Sequence, residues 1–251
     1  MLIYLLLDGE RRIKRDRSDT ERIYTEVTNE ILGEFGCSLG WDVKAQAMGA
    51  PARLSSESIL RAYDLLDKLS VDEFIRRKQT MIPQKFKEVA PMRGAVRLVQ
   101  HLHKHGVPIA LATGSGYQAF LDKTTHLPHL FELFPVDAIV TADSPEVKPG
   151  RGKPCPDVFL AAARKLGRDV GAEEESASDE QRIERSKALV FEDAVFGAQA
   201  GVRAGMNVVW VPDVELRALD PENTHGAKVI HEHLEDFKPE QWGLPPFDDE
   251  V

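Results

Sequence analysis

The chain has 251 residues, 42% of them hydrophobic and 29% charged, which suits one large core or two smaller ones in a globular fold. Its formal charge of −9 argues against nonspecific nucleic-acid binding, because a phosphate backbone repels an acidic surface, yet a locally basic pocket for a small phosphorylated ligand is still open to it. No run reaches the ~20 apolar residues of a membrane span, and Cys37 and Cys155 lie too far apart to suggest a metal knuckle or a disulfide framework, so free thiols in a reducing, cytoplasmic setting are expected.

Residues 2 to 7 read as a buried parallel strand that stops at Asp8-Gly9. The apolar start is too short for a signal peptide and lacks a cationic leader. Glu10 to Ser18 is a charge run with almost nothing to bury, and reads as a solvated insertion rather than a phosphate-binding loop. From Asp19 to about Lys87 the pattern is helical. Ile23, Val27, Ile31, Leu32 and Phe35 recur at helix spacing up to Gly36, a second helix spans about Trp41 to Met48, and a third runs from Ser55 or Ser56 to Leu66. A fourth opens at Ser70, with Glu73 placed for a capping box.

After Pro91 strands and helices alternate. Helices are expected at 94–104, 116–124, 157–166 and 194–204, and strands at 107–112, 136–140, 188–191, 207–211 and 227–230. This order implies right-handed crossovers and a mostly parallel sheet. The expected architecture is therefore α/β, a Rossmann-like parallel-sheet core built from residues 1–18 and 88–251, with an α-helical cap domain inserted over 19–87. Residues 168 to 186 are acidic and poor in apolar anchors, and read as a mobile surface loop.

In an open parallel sheet ligands sit beyond the C-terminal strand ends. Thr113, followed by Gly114 and Ser115, ends one strand and offers a hydroxyl and backbone N–H groups to a phosphate oxygen, or else caps the next helix. Lys153, framed by Gly152 and Pro154, reaches the same rim and is preferred over Lys148 because Pro156-Asp157 opens a helix directly after it. Glu192-Asp193 closes another strand. Paired carboxylates there are costly without a cation, which fits Mg²⁺, although Asp193 could instead cap the following helix. Lys44, on the second helix, reads as an exposed lysine rather than a substrate contact.

The runs Ala110 to Ser115, Gly152 to Phe159 and Val190 to Gly197 resemble, in this order, the haloacid dehalogenase superfamily in its capped phosphatase branch; Asp236 to Pro245 resembles the tail of its pseudouridine-5′-phosphatase-like members. The resemblance implies a phosphoaspartate mechanism with Mg²⁺. Thr113, Gly114, Ser115 and Lys153 would hold the phosphoryl group, Glu192 and Asp193 with Asp8 would hold the metal, and the partner would be a small phosphorylated metabolite, met by a monomer with no nucleic acid or membrane involved. In that family two aspartates, Asp-x-Asp, end the first strand. Here Asp8 is followed by Gly9, and three registers fit: Leu6 at the nucleophile position with Asp8 second, Asp8 as nucleophile with Glu10 two residues on, or both aspartates lost upstream of an insertion at 9–18. Asp8 is the acid retained in two of the three. The alternatives are a catalytically impaired binding protein, favoured by Leu6, and a sugar-phosphate mutase on the same scaffold.

Overall fold

The computed structural model describes residues 2–5, 19–48, 50–85 and 90–248. At its centre is a six-stranded sheet, parallel throughout, in the order β3-β2-β1-β4-β5-β6. The strands are β1 (Leu2–Leu5), β2 (Ile109–Ala112), β3 (Ile139–Val140), β4 (Ala188–Glu192), β5 (Asn207–Trp210) and β6 (Val229–Ile230). Side chains alternate between two buried faces, as a sheet covered on both sides requires. Ile109, Leu111, Leu189, Phe191 and Val209 join one cluster, while Ala110, Ala112, Val190, Val208 and Trp210 join the other. Helices α5 (Ala95–Lys104) and α7 (Pro128–Phe131) feed the first cluster; α8 (Asp157–Lys165) and α10 (Val195–Arg203) feed the second. Gly201 lets α10 lie close on the sheet, since a Cβ there would come 2.8 Å from Val208 Cγ2.

Four helices fall between β1 and α5: α1 (Asp19–Gly33), α2 (Trp41–Ala47), α3 (Ala52–Ala62) and α4 (Val71–Lys85). They share their own apolar cluster of Ile23, Val27, Ile31, Leu32, Leu60 and Phe74. The helical spacing read from Ile23 to Leu32 is thus the buried stripe of α1. At α4 only half of the expected capping box forms. Ser70 Oγ accepts from Glu73 N–H at 3.2 Å, while the Glu73 carboxylate bonds Arg76 and Arg77 instead.

Two strand expectations shorten. Residues 136–138 form a 3-10 turn after Pro135, leaving only Ile139–Val140 in the sheet, and Gly226 at φ +82° turns the chain just ahead of β6. Helices α6 (Tyr117–Thr124) and α11 (Val214–Leu219) add Phe120 to the first cluster and Leu216 to the second.

The expected mobile loop at 168–186 is instead anchored and partly helical. Helix α9 (Asp179–Ser186) opens with a full capping box between Ser178 and Gln181. Val170 and Ala177 are buried, and so is Arg185, only 3% exposed. Its guanidinium donates to the carbonyls of Val170, Glu173 and Glu174. Composition misled because the anchor is a cation: Arg185 does by hydrogen bonding what apolar side chains do elsewhere, and burial lowers its pKa from the usual arginine value. Arg185→Met is expected to destabilise the protein by about 1.5–3 kcal/mol, the range for hydrogen bonds to a charged group, with amide exchange rising over 170–178 and little change in turnover. Unchanged protection there would remove Arg185 as the anchor.

Candidate active site

The C-terminal ends of β2 and β4 open on one rim, and the loop after β3 folds back onto it. Arg151 and Asp157 clamp that loop with paired bonds of 2.8 and 2.9 Å. Lys153 is carried inside it. Its Nζ donates to Glu192 Oε1 at 2.6 Å and to the Ala112 carbonyl at 3.3 Å, and the two side chains are 4% and 0% exposed. Lys148, the neighbouring candidate, is on the surface and pairs with Glu173. Of these two lysines, Lys153 is the one that meets a carboxylate inside the protein and lines the cavity.

Glu192 is fully committed. Its Oε2 accepts from the N–H groups of Asp193 and Ala194, at 3.2 and 3.4 Å, while Oε1 takes the Lys153 ammonium. Gly197, on the first turn of α10, makes room for it, since a Cβ there would overlap the Glu192 carboxylate. Gly197→Ala should therefore push Glu192 off Lys153. Overpacking of this kind costs about 1–3 kcal/mol, and turnover should fall with stability; a variant with wild-type urea midpoint and kcat would contradict this placement.

Asp193 projects next to this pair on the cavity wall, with its backbone carbonyl held by Trp210 Nε1 at 2.9 Å. It does not cap the next helix. The N-cap of α10 is Ala194, with no side-chain cap. Thr113 likewise caps nothing, since α6 starts after Gly116. The Thr113 hydroxyl accepts from Ser115 N–H at 3.0 Å and its own N–H donates to Val140. Thr113 is buried, and the residues that follow it, Gly114 and Ser115, line the cavity. Thr113, Lys153, Glu192 and Asp193 therefore gather on one rim, with Thr113 shaping the turn that presents Gly114 and Ser115. Asp8 lies outside the described residues.

A cavity of about 620 Å³ sits between this rim and helices α1 to α4. That is within the ~300–1,000 Å³ of small-molecule sites. The helical side contributes Lys44, Met48, Ile59, Lys78 and Ile82; the rim side contributes Ser115, Lys123, Asp143, Lys153 and Asp193. Lys44 overturns the expectation of an exposed lysine. It is 5% exposed, its ammonium lies 4.0 Å from the Trp41 ring centroid, and it faces the cavity. Lys123 and Asp143 escaped the sequence reading. Lys123 Nζ donates to Ser115 Oγ at 2.9 Å. Asp143 accepts from Tyr117 N–H and from the Thr141 hydroxyl, which hold its pKa below the usual carboxylate value. Nothing local marks Lys123, since it sits two turns along α6 from the loop it supports; the Thr141-Ala-Asp143-Ser144 stretch after β3 was a usable signal for Asp143.

The donor set fits a hard divalent cation. Asp193 offers carboxylate oxygens at the mouth of a cavity, and a cation of the Mg²⁺ type takes one or two carboxylates and completes its shell with water and phosphate oxygens. Glu192, with both oxygens engaged, suits the role of positioning Lys153 and the turn at Asp193.

The family model for haloacid dehalogenase-like hydrolases matches residues 6–205. The chain is 40% identical over 231 residues to (DL)-glycerol-3-phosphatase 2 of Arabidopsis thaliana, covering 92% of this chain and 88% of the relative. It is 36% identical over 231 residues to a probable pseudouridine-5′-phosphatase of Drosophila melanogaster, covering 92% and 91%. Among solved structures, a haloacid dehalogenase hydrolase of family IA, variant 3, from Entamoeba histolytica superposes with a TM-score of 0.68 at 20% identity, covering 96% of each chain. A β-phosphoglucomutase from Clostridium difficile gives 0.69 at 18% identity, covering 96% of this chain and 93% of the other. At such identities the structural likeness speaks for the fold alone.

Proposed function

The chain belongs to the haloacid dehalogenase-like hydrolases and is a phosphatase of that family; from that membership we propose that it releases phosphate from small sugar, polyol or nucleotide monophosphates, with Mg²⁺ and through a phosphoaspartate on Asp8. The observation that carries this reading is the buried Lys153–Glu192 pair at the cavity floor, with Asp193 beside it. A desolvated ammonium fixed in this way is preorganised for the charge of a transferring phosphoryl group. Helices α1 to α4 act as the cap, residues 19–87, that shields the reaction from water. The names of the relatives point to glycerol-3-phosphate and pseudouridine-5′-phosphate as first substrates to try.

In the register where this chain supplies both groups, an Asp8 carboxylate oxygen attacks phosphorus and the phosphorus–oxygen bond to the substrate alcohol breaks. Glu10 gives its proton to that alcohol, then takes one from the water that hydrolyses the acyl phosphate. Lys153, Gly114 and Ser115 hold the phosphoryl oxygens meanwhile. Asp193 and Asp8 would hold Mg²⁺, which would supply charge neutralisation. The free thiols of Cys37 and Cys155 support a reducing, cytoplasmic setting, and among the described residues no helix is long and apolar enough to cross a membrane.

A phosphate-release assay over a panel of monoesters tests the reading. Turnover is expected with Mg²⁺ and is lost on chelation with EDTA, returning when Mg²⁺ is restored. A panel with no release above a Lys153→Ala control would favour the binding protein that Leu6 suggests. Isomerised phosphate esters without free phosphate would favour a mutase.

A further inference from the structure

We propose that His101, His105 and Asp248 form a second metal site, of the zinc class, on a part of the surface that takes no share in the cavity. The two histidines stand four residues apart at the end of α5, so their rings lie on one helix face, with centroids 4.5 Å apart. The C-terminal segment returns across that face. Phe247 packs on His101 at 4.7 Å between centroids, Arg97 stacks on Phe247 at 3.7 Å, and Asp248 arrives between the imidazoles. Its oxygens lie 3.9 Å from His101 Nδ1 and 3.4 Å from His105 Nε2. One ligand atom from each residue falls within a 4.8 Å span.

The state of His101 is fixed by its other nitrogen. Nε2 lies 2.9 Å from the Pro245 carbonyl, which can only accept, so Nε2 carries the hydrogen. In the neutral ring the lone pair is then on Nδ1, facing Asp248. A backbone carbonyl that fixes the tautomer and aim of an imidazole is what a metal-binding histidine ordinarily has behind it. The His101 side chain is 4% exposed, so its ring is set by packing, while His105 and Asp248 are free enough to close on an ion. Zinc holds imidazole nitrogen and carboxylate oxygen at about 2.0–2.2 Å, a spacing that short rotations of those two side chains would reach.

Two imidazoles and one carboxylate favour zinc over Mg²⁺, which prefers oxygen throughout. The carbonyl end of α5 adds negative potential. Lys104 is the competitor. Its Nζ lies 2.9 Å from Asp248 Oδ2 and keeps that carboxylate ionised, with its pKa below the usual value. It engages Oδ2, the oxygen that also faces His101 Nδ1, so an ion would have to displace the ammonium there, while Oδ1 faces His105. A bound ion would tie the C-terminal segment to α5 and leave a fourth position for water.

The test is calorimetric titration of the tag-free full chain with Zn²⁺ in excess Mg²⁺, beside His105→Ala and Asp248→Asn. The site predicts a Zn²⁺-binding step weakened at least ~10-fold in both variants. It also predicts a Zn²⁺-dependent rise in Tm for the wild type alone, while phosphate release in Mg²⁺ is the same in all three. Equal Zn²⁺ affinity in wild type and variants, or a wild-type Tm that does not respond to Zn²⁺, would show that Asp248 serves only as an ion-pair partner of Lys104.

Discussion

Lys153→Ala is expected to lower kcat/KM for the best monoester by roughly 10²–10³-fold, the loss seen when one preorganised charge-stabilising donor is removed. It should also unfold more readily. Lys153 and Glu192 are buried together at 2.6 Å, and deleting one partner leaves the Glu192 carboxylate without its counter-charge inside the protein. Breaking a buried pair in this way costs about 3–5 kcal/mol. The two effects separate in the double variant Lys153→Met with Glu192→Gln, which removes both charges. Its urea midpoint should recover most of the loss while phosphate release stays low. A double variant that regains activity along with stability would mean that Lys153 acts only as a structural counter-ion and that the proposed role in phosphoryl transfer is wrong.

Asp8→Asn is expected to reduce turnover by about 10⁴-fold or more, since the loss of a covalent nucleophile leaves only binding and charge stabilisation. The companion variant Leu6→Asp distinguishes the registers. If Asp8 attacks phosphorus, a carboxylate placed at Leu6 brings no gain, and trapping with a phosphate-mimicking fluoride complex follows Asp8. A rise of orders of magnitude in Leu6→Asp would assign Asp8 to the second position and make the natural chain the impaired form. Wild-type turnover in Asp8→Asn would remove Asp8 from the chemistry altogether.

The strands were legible because each is a short apolar run bounded by turn residues, and their alternation with helices points to a parallel sheet, whereas the strand order β3-β2-β1-β4-β5-β6 came from the structure. The rim followed from the same logic. A chemistry-bearing residue just past a buried strand points beyond the sheet, which is why Glu192 and Asp193 stood out before any contact was known. The buried stripe of α1 was readable from Ile23 to Leu32 by spacing alone. Lys44 was not. Helical spacing says which residues share a face, but not whether another element covers that face, and it is the approach of the rim that puts this lysine in the cavity. The stretch 168–186 misled for a related reason, since its anchor is the bonding of Arg185 to three carbonyls 11 to 15 positions earlier in the same stretch, a contact that composition does not register.

By itself the sequence determined the α/β layering, the helical insertion between β1 and α5, and the three motif stretches that meet at the strand ends, because these depend on local periodicity and chain order. Tertiary structure alone decided which charges lose their water. Lys153 sinks onto Glu192, Gly197 gives up a side chain to admit it, and a histidine pair on α5 meets an aspartate from near the far end of the chain. Desolvation and charge pairing depend on what lies within a few ångströms in space, and residues separated by dozens or by more than a hundred positions become neighbours only when the chain closes on itself.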